Sequence, residues 1–119
     1  MFDNFKFFAS IIRTALPITE NQAIGLVFQQ FVKGDSGKKV YMTDLLSANS
    51  DVSSWRSSWS MPFDGWLFLV DNNPLADWEH SCIHVLVNQD DGSTVVHNEG
   101  SPPKGVDYHE ISPPPQPVA

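Results

Sequence analysis

The fold is decided by residues 65–71, which read Gly-Trp-Leu-Phe-Leu-Val-Asp. Successive side chains of a β-strand point to opposite faces of a sheet, and this run is apolar at both alternations. It therefore predicts a strand that is covered on both faces or lies at the centre of a sheet. The run ends at Asn72-Asn73-Pro74, because proline lacks the amide that a continued ladder needs.

Segments on both sides of this run predict the rest of the sheet. Residues 39–45 alternate, with Val40 and Met42 on one face. Residues 88–92, Asn-Gln-Asp-Asp-Gly, have the turn chemistry of a hairpin between two alternating segments. Together these segments predict an antiparallel meander of about four strands. The predicted strands are 39–45, 66–71, 82–88 and 93–98. The serine-rich residues 47–62 fit a loop, a helical turn or an irregular strand equally well.

A helix precedes the strands. Thr19 and Gln22 have the spacing of a capping box, in which each side chain satisfies the free amide of the other residue. Gly34 follows the last apolar residues and can take the left-handed conformation that closes a helix. We therefore predict a helix over 20–33, packed on one face of the sheet in an α+β fold. Its apolar stripe consists of Ile24, Val27, Phe28 and Phe31.

The length of the chain, 119 residues, fits one domain. Its hydrophobic content of 41% is enough for a core without disulfides or a structural metal. We predict a single domain over 1–103, with an additional N-terminal helix over 3–16, and an extended proline-rich tail over 104–119. The first residues lack the basic region of a signal peptide, and we find no membrane span, so we expect a cytoplasmic location.

The charge balance bears on the kind of partner. The chain carries 14 acidic and 7 basic side chains, a formal net charge of -7. Such a charge repels the phosphate backbone of nucleic acids and the anionic surface of membranes, which argues against both as partners. It would attract a basic protein, although many proteins are acidic only for solubility.

The densest group of reactive side chains is His80, Cys82 and His84. On a strand that begins early enough these side chains share a face, and imidazole and thiolate are zinc ligands. No paired zinc-ligand motif accompanies them, so we expect no metal. A thiol nucleophile with a histidine base is a second interpretation, but Cys82 starts an apolar strand, which predicts a buried structural cysteine. We find no phosphate loop, dinucleotide fingerprint or nucleophilic serine motif, and we predict neither a cofactor nor enzymatic activity.

The order of these features resembles two kinds of bacterial domain. Residues 66–71, followed by Ala-Asp-Trp-Glu-His-Ser-Cys at 76–82, resemble a domain that precedes cysteine-peptidase domains in some bacterial proteins. The capped helix followed by a meander is also similar to small bacterial immunity proteins and to PepSY-type domains, which are propeptides and inhibitors of peptidases with cystatin-like architecture. What this resemblance implies is the shielding or inhibition of an enzyme.

We therefore expect a protein-binding module, an inhibitor or immunity protein whose partner is a bacterial toxin or peptidase. Two alternatives stay open: a propeptide-like folding module for a peptidase, and a small zinc or thiol enzyme. For the binding surface we predict the connection after the central strand, where Trp78 lies between Asp77 and Glu79. Asn73 and Pro74 belong to the same predicted surface, and Pro74 stiffens it. An aromatic anchor within a polar rim carries most of the binding energy of many interfaces.

Overall fold

A computed structural model describes residues 17–33, 37–54, 57–72 and 82–111. Within these ranges the chain has an α+β fold, in which a helix packs on an antiparallel sheet of five strands. No helix in the described ranges has the length and apolar character of a membrane span. The predicted helix 3–16 and residues 112–119 of the predicted tail lie outside the described residues. The elements are α1 (Glu20–Val27), a π-helical turn (Phe28–Val32), β1 (Lys39–Thr43), β2 (Asp51–Ser53), β3 (Ser58–Ser60), β4 (Gly65–Asp71), β5 (Cys82–Asn88), β6 (Thr94–Glu99) and β7 (Tyr108–Glu110).

The sheet has the strand order β6-β5-β4-β1-β7, and all neighbouring strands are antiparallel. β4 is the central strand and is buried from Gly65 to Asp71, which confirms the prediction from its apolar sequence. The predicted number of strands was one too few, because β7 pairs with the outer side of β1. β7 lies within the segment predicted as an extended tail. Beyond it, the Ile111 amide donates a hydrogen bond to the Val40 carbonyl oxygen (2.8 Å).

The helix begins as the sequence predicts. The Gln22 amide donates to Thr19 Oγ1 (3.1 Å) and the Thr19 amide donates to Gln22 Oε1 (2.8 Å), which completes the capping box. The chain stays helical to Val32, but its last turn widens into the π-helix. Lys33 then takes the left-handed conformation that ends the helix, with φ 52°. The sequence assigned this role to Gly34, which lies outside the described residues.

One face of the sheet packs against the helix, and we call it the helix face. The predicted stripe lies on it: Val27 is fully buried, and Ile24, Phe28 and Phe31 are partly buried against the same core. The buried residues of this core are Ala23, Val27, Val32, Val40, Met42, Trp66, Phe68, Val70, Val85 and Val87.

The opposite face of the sheet is covered by the β2–β3 hairpin, and we call it the hairpin face. The two short strands pair with each other, so residues 47–62, which the sequence left open, contain a hairpin. Val52 and Met61 pack with Leu67 and Leu86 in a second buried core. The alternating side chains of β4 are thus divided between two cores, which is why its sequence is apolar throughout.

Candidate functional site

The residues predicted to bind a partner lie outside the described part of the chain: Asn73, Pro74, Asp77, Trp78 and Glu79. The structure describes the strands at both ends of their segment. Asp71 and Cys82 are paired across β4 and β5, so the segment leaves and re-enters the sheet at the same end. A binding surface around Trp78 stays a prediction.

Cys82 is a core residue, as the sequence predicts. Its side chain is 1% exposed at the start of β5. Burial, together with the neighbouring Asp71 carboxylate, raises the pKa of the Cys82 thiol to about 11. A thiol with this pKa is protonated at neutral pH, whereas a nucleophilic cysteine needs a stabilised and accessible thiolate. This environment suits the structural cysteine that the sequence predicts.

The zinc alternative involved His80, Cys82 and His84. His80 lies outside the described residues, while Cys82 and His84 are both buried, two residues apart on β5. Where the structure describes the chain, no three His, Cys, Asp or Glu side chains are grouped as a metal ion requires. The described residues therefore include two candidate ligands of this alternative, and the third lies outside them.

His84 belongs instead to a group of three rings, Trp59, His84 and His97, which we call the aromatic cluster. His84 and His97 are directly paired across β5 and β6. The indole of Trp59, from β3, stacks on the His97 ring with a centroid distance of 4.8 Å and an interplanar angle of 5°. The same indole meets His84 edge-on at 6.3 Å. The aromatic cluster therefore joins the hairpin to β5 and β6.

The protonation state of His84 follows from its surroundings. The side chain is fully buried, and Nε2 lies 3.0 Å from the Ser101 carbonyl oxygen. Because a carbonyl oxygen only accepts, Nε2 carries the proton in the neutral ring. Burial lowers the pKa of His84, opposed by the Ser101 contact and by Glu99 and assisted by His97. In the part of the chain that the structure describes, Nδ1 of His84 and Nε1 of Trp59 are buried without a hydrogen-bond partner.

Next to the aromatic cluster lies one of the two edges of the described sheet, formed by β6, while β7 forms the other. β6 pairs with β5 on one side, and no described strand pairs with its other side. Two adjacent valines on it are unusually exposed, Val95 at 38% and Val96 at 43%. Proteins commonly protect an edge strand with lysine, proline or a bulge, but Thr-Val-Val-His-Asn-Glu contains neither lysine nor proline. We call β6 with its exposed valines the open edge.

Acidic side chains flank the open edge at both ends. Asp90 and Asp91 are exposed in the turn that leads into β6. At the other end, Glu99 accepts a hydrogen bond from Ser57 Oγ (2.7 Å). No lysine or arginine occurs anywhere between Cys82 and Pro103. The open edge therefore combines an apolar centre with negatively charged ends.

Comparison of the chain with known protein families, with curated proteins and with solved structures found no match. The resemblance to PepSY-type and immunity proteins consequently stays a prediction. Among the described residues, two features bear on function: the open edge and the aromatic cluster beside it.

Sequence reasoning placed β6 to within one residue, at 93–98, but did not identify it as an edge strand. Whether a strand lies at an edge depends on which other strands pair with it, and the sequence does not state that. One signal was present: the strand contains no charge before Glu99 and no proline. Trp59 was missed because the hairpin that carries it was not predicted.

Proposed function

We propose that this chain is a small protein-binding module that acts in the cytoplasm as an inhibitor or immunity protein and neutralises a bacterial enzyme or toxin. The observation that supports this function is the open edge, where two exposed valines lie between acidic ends. Exposed apolar side chains with a charged rim are typical of protein-binding surfaces. The resemblance of the sequence to immunity and inhibitor domains favours the same class.

The chemistry of the open edge selects a basic partner. Burying the exposed parts of Val95 and Val96 against a partner would contribute about 1 kcal/mol each. The flanking carboxylates and the net charge of -7 would raise the association rate with a basic surface and lower it with an acidic one. Many enzymes that act on nucleic acids or on anionic cell envelopes have a basic surface around their active site, and such a surface is a suitable target.

A co-expression experiment tests this function. The chain would be produced together with toxins and peptidases encoded beside its gene, and growth rescue and enzyme activity would be measured at increasing ratios of inhibitor to enzyme. We expect loss of activity at one chain per enzyme molecule. A chain that leaves every such enzyme fully active, even in large excess, is not an inhibitor or immunity protein of this kind.

A matched pair of variants assigns the inhibition to the open edge. Val96→Lys removes an apolar contact and adds one positive charge, so we expect about tenfold weaker binding of a basic partner, equivalent to about 1.4 kcal/mol. Leu45→Lys is the control, because Leu45 is also an exposed apolar residue, at 47%, outside β6. The control should inhibit like the unmodified chain. Equal losses in the two variants would place the surface elsewhere.

A further inference from the structure

We infer that the partner is held by strand addition, in which an extended basic segment of the partner pairs with the open edge as a sixth strand of the sheet. This inference rests on the proposed function, since it states how the neutralised protein is bound. Three features support it: the direction of the main-chain groups on the side of β6 that no described strand pairs with, the rigidity of β6, and the placement of its side chains.

The direction of the main-chain groups follows from the β5–β6 hairpin. The Asn88 amide donates to the Ser93 carbonyl oxygen (2.8 Å), and these residues are opposite each other in the register that pairs Val87 with Thr94. In an antiparallel ladder, directly bonded pairs alternate with pairs whose main-chain groups point away from each other. The main-chain groups of Val95, His97 and Glu99 therefore point to β5, and those of Thr94, Val96 and Asn98 point to the outer side of the open edge.

These outward groups are held on a rigid strand. β6 is paired with β5 along its whole length of six residues. Two contacts from the hairpin region fix its hairpin face, the stacking of Trp59 on His97 and the hydrogen bond from Ser57 to Glu99. Because the strand is already ordered, an added strand loses little affinity to ordering the protein.

The two exposed valines also favour an added strand. Val95 is paired with Leu86 of the hairpin-face core, whereas Val96 is paired with Val85 of the helix-face core. The valines therefore project to opposite faces of the sheet. A partner lying on one face would cover one of them, but an added strand places its own alternating side chains beside both.

Charge distinguishes between the possible occupants of this edge. A second copy of the chain, paired antiparallel through β6, would bring its own Glu99, Asp90 and Asp91 toward the same acidic ends. Each copy has a net charge of -7, so this pairing is opposed by repulsion. A segment with β-branched residues at its centre and lysine or arginine at its ends complements both the valines and the carboxylates.

Amide hydrogen exchange of the full chain tests this mode of binding. The probe is a synthetic peptide of about ten residues, in which valine alternates with threonine and lysines flank the centre. At saturating peptide we expect the amides of Thr94, Val96 and Asn98 to exchange at least about tenfold more slowly. Two control peptides should give no protection: one with N-methyl groups on alternate residues, and one with glutamate in place of lysine. Equal protection by the N-methylated peptide, or protection confined to other amides, would overturn strand addition.

A pair of variants gives an independent readout. Asn98→Pro removes an outward amide while leaving the bonds to β5 in place, and proline is tolerated at such edge positions. Asn98→Thr changes the same side chain but keeps the amide. We expect at least about tenfold weaker peptide binding for the proline variant and unchanged binding for the threonine variant. If the proline variant does not fold, the N-methylated peptide alone decides the question.

The outcomes separate this inference from the proposed function. An enzyme that is inhibited equally well by the Asn98→Pro variant would overturn strand addition while the proposed function stands. Protected edge amides with the basic peptide, but no enzyme inhibited by the unmodified chain, would leave strand addition supported and remove the inhibitor assignment. If sedimentation shows dimers that Asn98→Pro abolishes, and the basic peptide does not bind, the occupant of the open edge is a second copy of the chain and not a basic partner.

Discussion

Burial controls the chemistry of Cys82, and the consequences can be measured at this one residue. The thiol is 1% exposed and its pKa is raised to about 11 from an ordinary value of 9.0. A raised pKa of an acidic group means that the folded state favours the neutral thiol. The contribution of this thiol to stability is therefore complete below about pH 9 and is lost as the pH rises through about 11.

Replacement of Cys82 by alanine should reduce the free energy of unfolding by about 1 kcal/mol at neutral pH, because packing around the sulfur is lost. The difference between the two proteins should shrink above pH 9, because the alanine variant lacks the thiol whose deprotonation destabilises the folded state there. Urea unfolding at several pH values measures both effects. Iodoacetamide should label the folded protein far more slowly than the unfolded one. Rapid labelling of the native protein would show that Cys82 is accessible.

For His84 we expect the opposite dependence of stability on pH. Burial lowers the pKa of its fully buried ring below the ordinary value of 6.5, so the unfolded state takes up the proton first. The stability that depends on neutral His84 is present above pH 6.5 and is lost as the pH falls through the lowered value. The matched variant is His84→Gln, because the glutamine amide can still donate to the Ser101 carbonyl but does not titrate. Between pH 7.5 and 5 the free energy of unfolding should fall more in the unmodified protein than in this variant. Parallel curves for the two proteins would exclude His84 as the source.

At the level of elements, Gly65 allows the backbones of β4 and β5 to approach closely. A Cβ atom on Gly65 would lie 2.0 Å from the Val87 carbonyl oxygen, which is main chain and cannot rotate away. Gly65→Ala should therefore force β4 and β5 apart and lower the free energy of unfolding by about 3 kcal/mol or more. Gly25→Ala is the matched control, since nothing lies within 4 Å of a Cβ there. In the helix this change should raise stability by about 1 kcal/mol. Similar melting temperatures for the two variants would contradict this account of β4 and β5.

The elements that could be predicted from the sequence are those whose own residues show an apolar, turn or capping pattern. β4 and β5 bury continuous or alternating apolar side chains, β6 follows the turn residues 88–92, and the capping box marks the start of α1, so all were found within a residue or two. β7 could not be found because its three residues are exposed. It is a strand because it pairs with β1, where Tyr108 also contacts the Tyr41 ring edge-on at 5.8 Å. The hairpin was left open because only Val52 among its six strand residues is buried.

At the scale of the whole molecule, the distribution of charge decides how a partner approaches. The four cationic residues in the described part are Lys33, Lys38, Lys39 and Lys104. None of these lysines lies in the turn at residues 88–92 or in β6. No positive charge within this segment therefore compensates the carboxylates of Asp90 and Asp91. A basic partner should therefore associate rapidly at low salt, and this rate should fall as salt screens the charges.

Charge reversal at three positions locates the surface that attracts the partner. Asp90→Lys changes the turn beside the open edge, Asp107→Lys changes an exposed residue before β7, and Asp77→Lys changes the surface predicted around Trp78. Each replaces one carboxylate by one ammonium, so the change in net charge is the same and only position differs.

If the open edge binds a basic partner, Asp90→Lys should slow association most, by about tenfold at low salt, and flatten its salt dependence, while Asp107→Lys has a smaller effect. Stopped-flow association with the neutralised enzyme, at several salt concentrations, gives the comparison. The largest loss in Asp77→Lys would instead assign the binding surface to residues 73–79, and equal losses in all three would mean that net charge alone steers the partner.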